Sequence, residues 1–472
     1  MKNLTARFTA LPRKTKLTIY LALIIFIALI CLVASYSQYL RGFKTPNAAP
    51  AASAQEQLFL VDYLNKTYPE QRLGILKPLP YPVVSADLNV YAGAAILLDA
   101  ANGCVIYEKN ADDIIPPASI TKLFVMYIVF QEIAAGHVTL DDVVPLPERS
   151  WAINMPRDAS LMFLGQGQTV TLRELLTGLS VASGNDAALA VAAYISGSTD
   201  AFVARMNEEA QNLGLTHTHF EEPSGYSEKN LTTPRELATF ARIYIQRYPE
   251  ALELFHAQRE IRYPLAANLA PWEKDKGDSA AVRQFNTNGL LRTLEGCDGL
   301  KTGFIYESGF NLALTAKRNG VRFISVTMRG PGAATAGKNF REVDGTTIME
   351  WAFARFADYA PQGKIASSYP VAVIKAKAQF VRLVPAWVNT LTVPHLQGET
   401  PQADAEAVRA IVSIPAYLSG AVQAGAPYGE IRYQLGETVL ETVPLVADHS
   451  IAEARCIGKL FGALAEHRLK KR

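Results

Sequence analysis

Eight consecutive residues, Leu123 to Phe130, contain no charge and a single hydroxyl, and no other run in the chain restricts the fold as much. As a helix the run is apolar on every side, so it has no solvent face and belongs at the centre of a domain. Ser119-Ile120-Thr121-Lys122 immediately precedes it. One helical turn brings Ser119 and Lys122 to the same face, so whatever encloses the helix also encloses this pair.

The chain has 472 residues, enough for two folded parts and additional segments. Net charge is +2 and 49% of residues are hydrophobic, which supports neither nucleic-acid binding nor extensive disorder. Membrane attachment is local. Leu17 to Leu40 is free of charge, with Lys2, Arg7, Arg13, Lys14 and Lys16 before it and only Arg41 and Lys44 just after. This pattern predicts an uncleaved signal-anchor with its N-terminus in the cytoplasm and everything downstream exported. A cleaved signal peptide is the competing reading, but its apolar core is normally shorter and the Ala-rich stretch near Ala54 lies too far along. Cys31, Cys104, Cys297 and Cys456 are too scattered for a metal cluster or a disulfide framework, so unpaired thiols are expected, with Cys104–Cys297 as the one conceivable bridge.

Thr45 to Gln55, rich in Pro, Ala and Ser, suits a flexible tether. Ala94–Asp99 and Cys104–Tyr107, joined at Asn102-Gly103, read as a β-hairpin. Thr171-x-x-Glu174 and Thr233-Pro234-x-Glu236 are both capping-box sequences that predict helices from about Leu172 and Pro234. Strands return at Phe310–Ala316 and Val321–Met328 around Asn319-Gly320, and a helix is expected near Thr346 to Phe356. Strands flanking a helical middle imply an α+β domain with one antiparallel sheet. Beyond Ser367 the short runs Val371–Ala376, Val408–Ile414 and Glu430–Leu435, punctuated by Pro and Gly, predict a small all-β domain. Ile451 to Arg472 reads as a basic amphipathic helix, with Ile457, Leu460, Phe461 and Leu464 on one face. It suits either an anionic membrane surface or packing on the body.

Two further tripeptides join Ser119 and Lys122 in chain order: Ser183-Gly184-Asn185 and Lys301-Thr302-Gly303. Singly each is a weak signal; in this order they point to serine acyl transfer without a histidine. A serine needs a base, and a lysine acts as one only when burial or a second cation destabilises its ammonium. Lys301 is the expected second cation, and the Ser119 amide supplies half of an oxyanion hole. In this reading Ser183 relays a proton to the leaving amine and Asn185 holds a substrate amide. Lys301 and Thr302 bind a terminal carboxylate at a strand edge, where Gly303 keeps the substrate's approach open.

The matching text extends well past the trio. Asn110-Ala111-Asp112, Pro117 to Lys122, Ser160-Leu161-Met162-Phe163-Leu164, Ser183 to Ala187, Asn288-Gly289-Leu290-Leu291 and Asp298 to Gly303 resemble the D-alanyl-D-alanine carboxypeptidases among the low-molecular-mass penicillin-binding proteins, serine peptidase family S11. The similarity covers roughly Tyr91 to Ala447. It implies a β-lactamase/transpeptidase-like domain followed by a small all-β domain, with an acyl-enzyme on Ser119 and Lys122 as proton acceptor. Ser183 would be the proton shuttle, Asn185, Lys301, Thr302 and Gly303 substrate contacts, and the Phe304 backbone N–H the rest of the oxyanion hole. The implied partners are a peptidoglycan stem peptide, which loses its terminal D-alanine, β-lactams as covalent inhibitors, and the cytoplasmic membrane; no cofactor or metal is required.

The resulting division is 1–44 cytoplasmic N-terminus and signal-anchor, 45–80 linker, 81–366 catalytic domain, 367–448 small β-rich domain and 449–472 basic tail. Two departures from relatives stand at the site. Phe304 follows Gly303 where a polar residue or His is common, and Thr287 stands where an Arg precedes Asn-Gly-Leu-Leu, leaving Arg283 or Arg292 to substitute. A β-lactamase, a DD-endopeptidase and a non-catalytic cell-wall binding protein remain as alternatives, and oligomeric state is not readable.

Overall fold

The computed structural model describes residues 12–43, 51–83 and 88–469. Helix α1, Arg13–Gly42, is long and apolar enough to cross a membrane. Lys2, Arg7, Lys44 and the basic residues Lys470, Lys471 and Arg472 lie outside the described residues, as do positions 45–50 of the expected tether. The rest of the 45–80 segment is not a plain linker. Ser53 accepts the Glu56 amide while its own amide donates to the Glu56 carboxylate, so a complete capping box starts α2 at Ala54–Thr67.

The central sheet has five long antiparallel strands: β1 (Ala94–Asp99), β2 (Cys104–Lys109), β3 (Cys297–Ile305), β4 (Gly309–Arg318) and β5 (Val321–Gly330). They lie side by side as β2-β1-β5-β4-β3, and the two-residue strand Lys77–Pro78 extends the β2 edge. Both faces of the sheet are covered, which is why β1 is buried at all six positions rather than alternating. Ala94, Ile96 and Leu98 point into one core, Ala95 and Leu97 into the other.

On the first face lie α3 (Lys122–Ala134), α4 (Leu172–Val181), α5 (Asn185–Ser196), α6 (Thr199–Asn212) and α7 (Pro234–Arg247). The all-apolar run is the middle of this core: every residue from Lys122 to Phe130 is buried. Phe124 stacks on Phe240 of α7 at 3.7 Å and lies 4.6 Å from Phe220. The two capping sequences differ in outcome. Thr171 and Glu174 form the reciprocal box, whereas Thr233 caps Glu236 but the Glu236 carboxylate turns away to the His217 amide at 2.9 Å and the Thr218 hydroxyl at 2.6 Å. His217 is thereby occupied, its ring Nδ1 also lying 2.9 Å from Glu236 Oε1.

The second face carries α8 (Ala334–Arg355) and a second sheet. The helix expected near Thr346 instead spans Ala334–Arg355, and Phe356 already belongs to the strand Phe356–Tyr359. Gly337 and Gly345 obscured its pattern in the sequence, yet they let it lie flat. A Cβ would meet the Phe310 ring at 1.9 Å at the first and Leu290 Cδ1 at 2.7 Å at the second. The second sheet orders Arg409–Ser413, Pro427–Leu435, Thr438–Ala447, Phe380–Pro385, Tyr369–Ile374 and Tyr417–Ser419. Helix α9, Cys456–Leu469, follows. Its expected apolar face is divided: Phe461 is buried against Tyr36 and Tyr39 of α1, while Ile457, Leu460 and Leu464 are exposed. The four cysteines are unpaired, so Cys104 and Cys297 do not bridge.

Truncating Phe124 to Ala leaves a cavity between α3 and α7 and is expected to cost about 3–5 kcal/mol. The midpoint of urea unfolding measures it, and the same change at exposed Phe59 should lie within about 0.5 kcal/mol of wild type.

Candidate active site

The site forms where the edge strand β3 passes the start of α3. Ala118–Thr121 is a turn of 3₁₀ helix, and Lys122 opens the α-helix behind it. The turn is tightly seated. Ala118 has φ of 52°, a left-handed conformation that disfavours a residue with a side chain. A Cβ on Gly225, itself at φ +76°, would come within 1.9 Å of the Ala118 carbonyl oxygen, and a Cβ on Gly303 within 2.5 Å of the Pro117 oxygen. Gly303 was expected to clear the way for substrate. Its bare side faces inward instead, and the residue lets β3 close onto the turn that carries Ser119.

Lys122 is completely enclosed. Its Nζ donates to Ser119 Oγ at 2.9 Å, Asn185 Oδ1 at 2.8 Å and the Ser224 carbonyl at 2.5 Å. Burial lowers its pKa to about 7, while the negative charges of Glu222 and Asp186 pull the other way. Lys301 is equally enclosed, with Nζ 2.9 Å from Ser183 Oγ and 3.1 Å from the Thr302 carbonyl. Burial first, then the charges of Lys122 and Arg341, hold it well below the usual lysine range. The electrostatic support was expected to run from Lys301 to Lys122. Burial governs both, and the mutual repulsion weighs on Lys301.

Ser183 occupies the break between α4 and α5, at φ 58°. Asn185 and Asp186 open α5. The buried Asp186 carboxylate accepts the backbone amides of Met162, Phe163, Leu164 and Ala187 at 2.8–3.1 Å, clamping the Ser160–Leu164 segment to the helix. The trio thus converges from three separate elements. Asn185 is bound through its oxygen to Lys122.

Two adjoining cavities meet at Ser119. One, of about 420 Å³, is bordered by Ser160, Asn185, Tyr226, Phe304 and Tyr306. The other, of about 830 Å³, is bordered by Ser183, Thr287, Arg292, Thr302, Phe304 and Arg341. Phe304 lies between them, its ring 4.5 Å from Phe310 and 5.5 Å from Tyr306. At Thr287 the hydroxyl accepts from Thr302 Oγ1 at 2.7 Å and the carbonyl accepts from Arg341 Nη2 at 3.2 Å. Of the arginines expected to substitute here, Arg283 is taken by Glu260 on an exposed hairpin and Arg292 borders the cavity. The buried cation is Arg341. The helix expected near Thr346 begins after Arg341, and the apolar residues around it follow no simple period, so the sequence does not mark it.

A lysine-backed serine beside a sheet edge, with a cationic pocket alongside, defines a serine-type peptidase of the penicillin-binding class. The chain belongs to the D-alanyl-D-alanine carboxypeptidase family, peptidase family S11, whose model matches residues 82–332. D-alanyl-D-alanine carboxypeptidase DacC of Escherichia coli is 30% identical over 79% of this chain and 87% of its own length. DacF of Bacillus subtilis is 27% identical over 78% and 88%. Among solved structures, penicillin-binding protein 5 from Haemophilus influenzae aligns with a TM-score of 0.64 and 26% identity over 79% of this chain and all of that one.

Because a protonated lysine cannot accept the Ser119 proton, acylation of Ser119 is expected to rise with pH through about 7 and level off above. Stopped-flow acylation by a chromogenic cephalosporin from pH 5 to 9 measures this limb.

Proposed function

We propose that this protein is a serine D-alanyl-D-alanine carboxypeptidase that removes the terminal D-alanine from peptidoglycan stem pentapeptides. The observation that carries the reading is the 2.9 Å hydrogen bond between Ser119 Oγ and an enclosed lysine whose pKa lies near 7. Lys122 takes the proton as Ser119 Oγ attacks the carbonyl of the penultimate residue. The Ser119 and Phe304 amides hold the oxyanion, and Asn185 binds the adjoining peptide amide. Collapse breaks the C–N bond as Ser183, supported by Lys301, gives its hydroxyl proton to the departing D-alanine amine and takes up the proton that Lys122 acquired, which leaves Lys122 neutral again. Water then hydrolyses the ester, with Lys122 as base, and returns Ser119 to its free form.

The terminal carboxylate is held by the Thr302 hydroxyl with Lys301, Thr287 and Arg341 around it. Arg341 fits this role because it is buried and borders the cavity, and its Nε finds no acceptor among the described residues. Burial draws its pKa down to about 10, so it stays cationic at neutral pH. β-Lactams acylate Ser119 by the same route and persist as esters. Helix α1 anchors the chain as a single span with the N-terminus in the cytoplasm, so the catalytic domain, 81–366, and the β-rich domain, 367–448, both work outside the cytoplasmic membrane.

Mass spectrometry of a disaccharide pentapeptide incubated with the protein should show tetrapeptide plus free D-alanine, with none formed by Ser119→Ala. Cross-linked product alone would identify a transpeptidase instead. Arg341→Ala is expected to lower kcat/KM about 100-fold on a peptide ending in D-Ala-D-Ala, by loss of one charge-assisted contact. A peptide ending in a carboxamide should barely distinguish the two proteins.

A further inference from the structure

The carbonyl that holds Lys122 comes from a loop, Glu222 to Asn230, built around one carboxylate. Glu222 Oε2 accepts the Ser224 amide at 2.7 Å. Its Oε1 accepts the Tyr226 amide at 2.8 Å, the Ser227 amide at 3.3 Å and Asn230 Nδ2 at 3.3 Å. Asn230, fully buried, closes the loop from behind. Its Nδ2 donates to the Glu222 carbonyl at 2.9 Å and to Thr121 Oγ1 at 3.2 Å, and its Oδ1 accepts the Glu221 amide at 2.8 Å. The loop is therefore tied to the residue preceding Lys122. With three amides turned toward Glu222, the Ser224 carbonyl points out of the turn and reaches Lys122 Nζ at 2.5 Å. The next residue, Gly225, is the one seated on the Ala118 carbonyl.

We propose that Glu222 is a positioning residue for the reaction: its carboxylate shapes the Ser224–Ser227 turn that orients the Lys122 amine toward Ser119 and places a negative charge on the loop that holds that amine. The inference rests on the reading of Lys122 as the base. Burial favours the neutral Lys122 amine, and the carboxylates of Glu222 and Asp186 favour the cation, Glu222 more strongly; Lys301 stands on the facing strand, and the repulsion between the two lysines weighs on Lys301. Asp186 is already enclosed by four backbone amides, whereas Glu222 is only partly buried and sits on the loop that touches Nζ. A base held too far below neutrality deprotonates readily but drives proton transfer poorly, so a balancing carboxylate raises the rate.

The test follows acylation by a chromogenic cephalosporin against pH, and D-alanine release, for full-length wild type, Glu222→Gln and Glu222→Asp. Glutamine removes the charge and leaves one acceptor oxygen where there were two. Its acidic limb is expected to move down by about half to one pH unit, and its plateau rate to fall about fivefold to tenfold. Aspartate keeps the charge but shortens the reach, so its limb should stay at the wild-type position while the plateau falls. A purely structural role would lower the plateau without moving the limb, and Glu222→Gln with a wild-type limb overturns the proposal. If the glutamine variant loses its cooperative melt, Glu222→Asp decides, and a displaced limb or an unchanged plateau there is equally fatal. A wild type without any limb near pH 7, but still silenced by Ser119→Ala, would sink the role of Lys122 and this inference with it, leaving Ser119 chemistry intact.

Discussion

Two lysine amines stand inside the protein, each within hydrogen-bond distance of a serine hydroxyl, and most of the catalytic part of the fold is arranged to hold them there. Removing a lysine head from water is costly, and the protein offsets it with three acceptors at Lys122 and two at Lys301. Those acceptors come from distant stretches of chain: Ser119 from the turn before α3, Ser183 and Asn185 from the gap between α4 and α5, and Ser224 from the loop after α6. The helical core, the sheet edge and the loop therefore cannot be separated energetically from the site. Displacing any one would leave a buried amine short of a partner.

The apolar helix α3 is what makes this enclosure rigid. Its aromatic residues interlock with Phe220, Phe240, Tyr244 and Tyr248, so the element carrying Lys122 has little freedom to slide. At the opposite wall, Gly337 and Gly345 bring α8 down onto Phe310 and Leu290 and deliver Arg341 to the pocket. Large side chains in one layer and absent ones in the other fix the width of the cleft.

Much of this was legible in the sequence. The run Leu123–Phe130 announced a central helix, Thr171 and Glu174 marked where α4 starts, and Asn102-Gly103 marked the first hairpin, because each signal is local. The three motifs named residues that do meet in space. What could not be read depended on packing between distant segments. Glycines inside α8 read as helix breakers in sequence although Phe310 and Leu290 pack against them, and a helix start near Thr346 leaves Arg341 outside the helix. The Glu222 loop carries no periodic pattern, since its order comes from a side chain satisfying its own backbone. At Thr233 the local signal was only half followed, because Glu236 found better partners at His217 and Thr218. Composition suggested a tether before the folded body, where the Ser53–Glu56 box begins a helix.

The double seat of the Ser119 turn, between Gly225 and Gly303, limits how such a protein can evolve. A side chain at either glycine would collide with the Pro117–Ala118 backbone, so the nucleophile cannot be shifted to suit one acyl donor over another. A peptide and a drug that mimics it must be met by the same immobile oxygen. Discrimination between them has to arise at the rim, where Phe304 and Tyr306 are exposed and lie outside the turn that carries Ser119. Selection for drug tolerance would therefore act first on these two aromatic side chains and leave the motif residues unchanged.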